Sequence, residues 1–357
     1  MRRVLTAAFP PILMLALATA CQEAPPTPTA ASALDLRASI NGSEWSAWSA
    51  PVKLGPPIST PSVTDGNASL SPDGLSLYYD SDRSDLPGAQ GARDIWVSRR
   101  ACTNALDAGC AWQTPVNLGS VINSPYVDGF PSISIDGHLL FFVSHKTRPD
   151  CPAEPDEVDP TRPCDLDIYV SWRADPNDDR GWSPPTPLPP GINTSDEEGG
   201  PWLTAVGEPG DGNFYFNLNV ATIRVTARGA SAGPAVEVVG PIVALHELDH
   251  PTASDGAVTT SVDGRELFFM SSVERPGRGA LDIWTSTRRN PGAPWSPPTN
   301  VTELNSMRAD LAPRLSRDGT TMLLTTNRGD LNAPACRAAG LEGSCGWDIY
   351  IATRSRP

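Results

Sequence analysis

Carboxylates recur in this chain at a fixed distance from a turn. Asp65, Asp128, Asp255 and Asp310 each stand eight residues ahead of the Asp of an Asp-Gly dipeptide, at Asp73-Gly74, Asp136-Gly137, Asp263-Gly264 and Asp318-Gly319. Glu198 takes the same place by its offset from Pro201. Like charges held close together repel, and a bound cation, backbone N–H donors or a raised pKa must relieve them. Calcium, tolerant of irregular oxygen geometry, is the cation such a set would take. Two roles stay open: each carboxylate caps amides at the entry to a strand, or the five together hold a cation or ligand.

A second constellation is His246-Glu247-Leu248-Asp249-His250. On a helix, His-Glu-x-x-His puts two imidazoles on one face for zinc, with the Glu as general base. Against that chemistry stand the charged Asp249 inside the motif, Pro251, which disfavours helical geometry at His250, and the lack of an evident third ligand. A metal set of His246, Glu247 and His250 is therefore weighed against a plain polar loop. The remaining histidines, His138 and His145, read as exposed residues flanking a buried strand, and no Ser/His/Asp or Cys/His nucleophile arrangement stands out.

The elements that must position these residues are spelled by a repeat. Pro131 to Ser144 reads as a β-hairpin: a short strand, the turn-forming Asp136-Gly137, then Leu139-Leu140-Phe141-Phe142-Val143-Ser144. Second strands follow the other turns at Leu77-Tyr78-Tyr79, Leu267-Phe268-Phe269 and Met322-Leu323-Leu324. Third strands open with Asp94-Ile95-Trp96, Asp167-Ile168-Tyr169, Asp282-Ile283-Trp284 and Asp348-Ile349-Tyr350. An eroded copy has Pro201 to Thr204 as first strand, Asp211-Gly212 as turn and Phe214-Tyr215-Phe216 as second strand.

A fourth-strand segment precedes each first strand, at Trp48–Leu54, Trp112–Leu118, Trp182–Leu188 and Trp295–Val301, with Ala235 to Val239 in the eroded region. Four-stranded units that bury one neighbour's face at a time are stable when stacked in a closed ring. The fold expected is therefore an all-β, five-bladed β-propeller of four-stranded antiparallel blades. The last unit ends at Arg354 with three strands, so the N-terminal segment should complete it and leave no bare edge. First strands line the channel of a propeller, which would set the five acids around one of its mouths. Arg83, Arg148, Arg275 and Arg328 follow second strands and are expected to bridge to the Asp that opens the third strand.

The pattern carried by Ser134, Asp136, Gly137, Leu140, Phe142, Ser144, Asp167, Ile168 and Tyr169 resembles the TolB-type, WD-repeat-like propellers of bacterial envelope proteins. The resemblance spans residues 48 to 354 and implies a binding scaffold.

Residues 1–21 read as a lipoprotein export signal: Arg2 and Arg3, an apolar run Ile12 to Ala18, and a lipobox at Ala18-Thr19-Ala20-Cys21, which makes Cys21 the lipid-bearing residue. Residues 22–45, rich in Pro, Ala and Thr, are expected to be a disordered tether, and residues 46–357 the propeller. The other six cysteines fall in close pairs, Cys102 with Cys110, Cys151 with Cys164, and Cys336 with Cys345, each inside an interstrand loop of one blade, so local disulfides are expected. A net charge of −14 argues against nucleic acid as a partner.

The expectation is thus a monomeric scaffold lipid-anchored in the cell envelope, presenting a propeller face to a protein or other envelope ligand. Two alternatives are a glycoside hydrolase using channel carboxylates and a metal-dependent hydrolase using the His-Glu-x-x-His loop. Hydrolysis requires carboxylates in unlike environments, whereas the five acids are quasi-equivalent by position.

Overall fold

The structure is a computed structural model that describes residues 45–60, 63–103, 108–146, 165–205, 211–227, 229, 231–329 and 346–356. Cys21, Cys151, Cys164, Cys336 and Cys345, together with the signal and nearly all of the tether, lie outside the described residues. The remainder is a five-bladed propeller of antiparallel sheets. Blade one is β2 (Asp65–Leu70), β3 (Ser76–Ser81), β4 (Asp94–Arg99) and β5 (Val116–Asn117). Blade two is β6 (Asp128–Ile133), β7 (Leu139–Ser144), β8 (Asp167–Trp172) and β9 (Thr186–Pro187). Blade three holds β10 (Trp202–Ala205), β11 (Asp211–Phe216), β12 (Asn219–Thr226), β13 (Ala235–Val238) and β14 (Val243–Ala244). Blade four is β15 (Asp255–Thr260), β16 (Glu266–Ser272), β17 (Leu281–Thr287) and β18 (Thr299–Asn300). Blade five is β19 (Asp310–Leu315), β20 (Thr321–Thr326) and β21 (Asp348–Thr353), completed by β1 (Val52–Lys53), in which Val52 pairs with Ile351 and Lys53 with Tyr350.

The repeated residues each perform one local task. Ser134 donates from Oγ to Asp136 Oδ1, which also accepts the N–H of His138, and Gly137 takes φ 76°, a left-handed conformation open to glycine at little cost. After the third strand of blades one, two, four and five an arginine closes the turn. Arg100, Arg173, Arg288 and Arg354 donate from Nε to the carbonyls of Gly74, Gly137, Gly264 and Gly319. Their guanidinium groups lie over the rings of Trp112, Trp182, Trp295 and Trp48, 4.1 to 4.5 Å from the ring centres. The core forms between blades; Tyr78, Ile95 and Val97 of blade one pack with Ile133, Leu140 and Phe142 of blade two.

Blade three departs from expectation in two ways. Asp211-Gly212 is not a turn: both residues lie within β11, opposite Arg224 and Ile223 of β12. Ala235–Val238 is an additional strand, and the true fourth strand is β14, which pairs with β12 at Asn219 and Val220. The anchoring bond shows the equivalence, because the N–H of Leu245 donates to Leu218 O as Leu118, Leu188 and Val301 donate to Ile95, Ile168 and Ile283.

Of the expected disulfides, Cys102–Cys110 lies in the described residues and is formed, with Cα atoms 4.8 Å apart. A loop this short contributes about 2 to 3 kcal/mol by restricting the unfolded chain.

Candidate functional site at the strand-entry face

First strands, and the loops that feed them, begin on one face of the ring. Each first strand of blades one, two, four and five bulges just inside this face. The residue two past the acid is left-handed in every blade: Asn67, Phe130, Ala257 and Ala312 at φ 49° to 50°, Gly200 at 61°. For the four that are not glycine this costs on the order of 1 kcal/mol each, and such strain persists only where surrounding structure imposes it.

The five acids are taken up singly, each by its own blade. Asp128 Oδ2 accepts the N–H (2.5 Å) and hydroxyl (2.7 Å) of Ser124, and Lys146 Nζ lies 3.5 Å from Oδ1. Asp310 accepts the same pair from Ser306 and an ion pair from Arg328 at 2.5 Å. Asp255 accepts the N–H of His250 at 2.8 Å and Arg275 at 3.1 Å, while Glu198 accepts the Thr194 hydroxyl at 2.5 Å. Asp65 is fully buried beside Ser81 and Arg83, and burial pushes its carboxyl up to about 7 against the lowering effect of both neighbours. Among the described residues, no group of three or more His, Cys, Asp or Glu side chains is placed to hold a metal ion.

The arginine expectation needs correcting. Arg275 and Arg328 pair with the acid that opens the first strand, not the one that opens the third, and Arg83 pairs with Asp85 at 3.1 Å; Arg148 is outside the described residues. The reason is register, since Asp255 lies opposite Ser271 and Asp310 opposite Thr326, so a cation just past the second strand meets that acid first. The third-strand acids turn to their own loops: Asp94 accepts Gln90 N–H and Asn117 Nδ2, and Asp282 accepts Gly279 N–H and Asn300 Nδ2.

The His-Glu-x-x-His segment is not a helix. It is the loop that every blade carries between its fourth strand and the next first strand, with Leu245 and Leu248 buried as Leu118 and Ile122 are in blade one. His246 and Glu247 are exposed, and His250 holds Asp255 through its backbone, so the two imidazoles are not on one helical face. His145, expected at the surface, is buried at 3 % exposure. A feature missed in the sequence is the buried Asn that anchors these loops. Asn123 accepts Ile95 N–H (2.8 Å) and donates to Ile95 O (3.0 Å), and Asn193 and Asn305 do the same with Ile168 and Ile283.

One seam breaks the repetition. Asp80, at 0 % exposure, occupies the position held by Val143, Met270 and Thr325 in blades two, four and five. Its Oδ2 accepts Asn67 Nδ2 at 2.7 Å and Phe130 N–H at 2.9 Å across the seam to blade two, and its Oδ1 lies 2.7 Å from Arg93 Nε. Burial raises the Asp80 pKa, with Arg93 opposing the shift. Gly129 makes room, because a Cβ there would lie 2.8 Å from Asp80 Oδ2. Deeper in the ring, Arg314 replaces the Ser69, Ser132 and Thr259 of other blades and donates across to the carbonyls of Val258 and Pro201. Burial pulls its pKa down to about 10.

The fold and this face define a five-bladed propeller with a polar seam on its strand-entry side. No protein-family profile matches the chain, and no curated protein matches it either. Among solved structures it is similar to one described as a glycoside hydrolase, at 10 % identity and TM-score 0.55 over 91 % of this chain and 95 % of that one. A family 117 glycoside hydrolase from the marine bacterium Zobellia galactanivorans matches at 11 % identity and TM-score 0.44, over 87 % of this chain and 89 % of that one. An alpha-L-arabinofuranosidase from Lactobacillus brevis matches at 14 % identity and TM-score 0.44, over 82 % of this chain and 90 % of that one. These likenesses concern the fold. The TolB-type, WD-repeat-like resemblance is not upheld, since the propeller matched at TM-score 0.55 is described as a glycoside hydrolase. The residues that carried it, such as Ser134, Asp136, Gly137 and Phe142, serve turn and core, so they mark how a blade is built and not its lineage.

Proposed function

We propose that this chain is an extracytoplasmic saccharide-binding propeller, lipid-anchored through Cys21, whose ligand sits on the strand-entry face over the seam between blades one and two. The observation that carries this reading is the seam itself, where Arg93, Asp80, Asn67 and the backbone N–H of Phe130 form a polar network in place of the plain packing of the other blades. A planar, charged hydrogen-bonding group on an otherwise apolar packing face is what a sugar's polar edge requires. Fold likeness to a glycoside hydrolase favours a saccharide over a protein ligand. Binding is favoured over hydrolysis because hydrolysis needs two carboxyl groups flanking the scissile bond, and Asp65, Asp80, Asp128 and Asp310 are fully buried.

Glycoside hydrolysis is the second reading, favoured by Asp65, whose carboxyl at about 7 has the strength of a general acid. Titration calorimetry with neutral and acidic oligosaccharide ladders, run beside a reducing-end release assay, separates the two. Saturable binding without release is expected; release that Asp65→Asn abolishes would establish the hydrolase instead. For the anchor, Cys21→Ser should move the protein from membranes to the soluble fraction at an unchanged melting temperature. Wild-type protein found soluble and lipid-free in its native host would end that part of the reading.

A further inference from the structure

We infer that Arg93 is the receptor for a carboxylate on the bound saccharide, so that the ligand is an acidic, uronate-bearing glycan. This rests on the saccharide reading above and narrows it. Arg93 is peculiar to blade one: the residue ahead of the third-strand Asp is Leu166, Leu281 and Trp347 in blades two, four and five. Its backbone is fixed in the seam, since Arg93 O accepts the N–H of Asp128 at 2.9 Å and Arg93 bridges Val127. The guanidinium is ion-paired as well: Asp80 lies 2.7 Å from Nε and is itself held by Asn67 and Phe130.

Stability does not explain the pair. A buried ion pair regains little more than its desolvation cost, and Val143 and Met270 fill the Asp80 position in blades two and four with apolar side chains. What the pair does provide is orientation. The Arg93 side chain retains 27 % exposure, and its ion pair to Asp80 is made through Nε. With Asp80 paired at Nε, the guanidinium keeps Nη1 and Nη2 as a planar, two-pronged donor, which matches two coplanar oxygens of a carboxylate. In a chain of net charge −14 a general anion site is disfavoured, so this recognition must be local. Asp80 acts as the positioning residue and Arg93 touches the ligand.

The probe pair is oligogalacturonate of degree four and its fully methyl-esterified form, which differ in the carboxylate alone. Wild-type protein should bind the acid about 10- to 100-fold more tightly than the ester, the span of a charge-assisted bond. Arg93→Met should bring the two affinities together, the acid losing far more than the ester. Arg93→Lys, which keeps the charge and loses the fork, should recover only part of the preference, and Asp80→Asn should lower the acid-to-ester preference. Melting curves on each variant confirm that the fold is intact. Equal wild-type affinity for acid and ester, or preference for a sulfated over a carboxylated tetramer, overturns the inference while the saccharide reading stands. Binding of neither probe, with neutral ladders bound, also overturns it; no saccharide bound at all removes both.

Discussion

Removing residues 46–55 should abolish cooperative folding of the propeller, whereas removing residues 22–44 should leave its melting temperature unchanged. The first deletion takes away β1 and with it the outer ladder of blade five, where Val52 and Lys53 pair with Ile351 and Tyr350. It also removes Ser46 N–H to Ser355 O, Ser49 N–H to Thr353 O and Leu54 N–H to Ile349 O, and the 2.6 Å Lys53–Asp348 ion pair. The largest loss is Trp48, 8 % exposed, whose ring meets Phe268 of blade four at 6.0 Å and lies under Arg354 at 4.4 Å. A buried Trp replaced by Ala costs about 3 to 5 kcal/mol, a large part of the roughly 5 to 15 kcal/mol that holds a whole domain together. Trp48→Ala alone should therefore lower the urea midpoint severely and the full deletion should leave no folded baseline. A deletion variant that melts like the wild type would show that β1 does not close the ring.

Closure could be read from the sequence because it is a counting argument: a Trp-led segment stands before the first blade and none follows the last. The Asp-Gly turns and second strands are legible for a similar reason, since glycine at positive φ and short continuous apolar runs are local requirements. Blade three differs from expectation because β13, Ala-Val-Glu-Val, has the β-branched look of a fourth strand, while the actual fourth strand is only Val243–Ala244. Register would have found it. Val243-Ala244-Leu245 aligned on Val116-Asn117-Leu118 sets Leu248 near Ile122 as the next buried residue, and turns the His-Glu-x-x-His motif into a loop copy. The seam was missed because Asp80 and Arg93 are far enough apart in sequence to signal nothing as a pair. Their signal was departure from the repeat: Asp80 is the acid where other blades have Val143, Met270 and Thr325.

Asp65→Asn should make the protein more stable than wild type at pH 8 and equally stable at pH 4. In the unfolded chain this carboxyl ionises near 3.8, and in the fold at about 7. Burial is the main cause; Ser81 and Arg83 pull the other way, and Asp348 and Asp82 add repulsion. Between those two values the folded protein keeps a proton that the unfolded chain has lost. Stability therefore falls as pH rises from about 4 to about 7, and is flat above, because the bound-proton difference vanishes there. A shift of this size corresponds to on the order of 4 kcal/mol. Asn preserves the shape of the neutral acid and cannot ionise, so it removes this slope. The position magnifies the consequence, since the N–H of Asp65 donates to Trp347 O at 3.1 Å across the closing seam of the ring. Asp348, on the blade-five side of that seam, is likewise pushed up by burial, with Lys53 opposing it, so charging both carboxyls loads the one junction held by the N-terminal strand. Urea titrations of wild type and variant at intervals from pH 4 to pH 8 measure the difference directly. Curves that run parallel across that range would mean that Asp65 ionises in the fold as it does in the unfolded chain, and would remove the support Asp65 lends to the hydrolase reading.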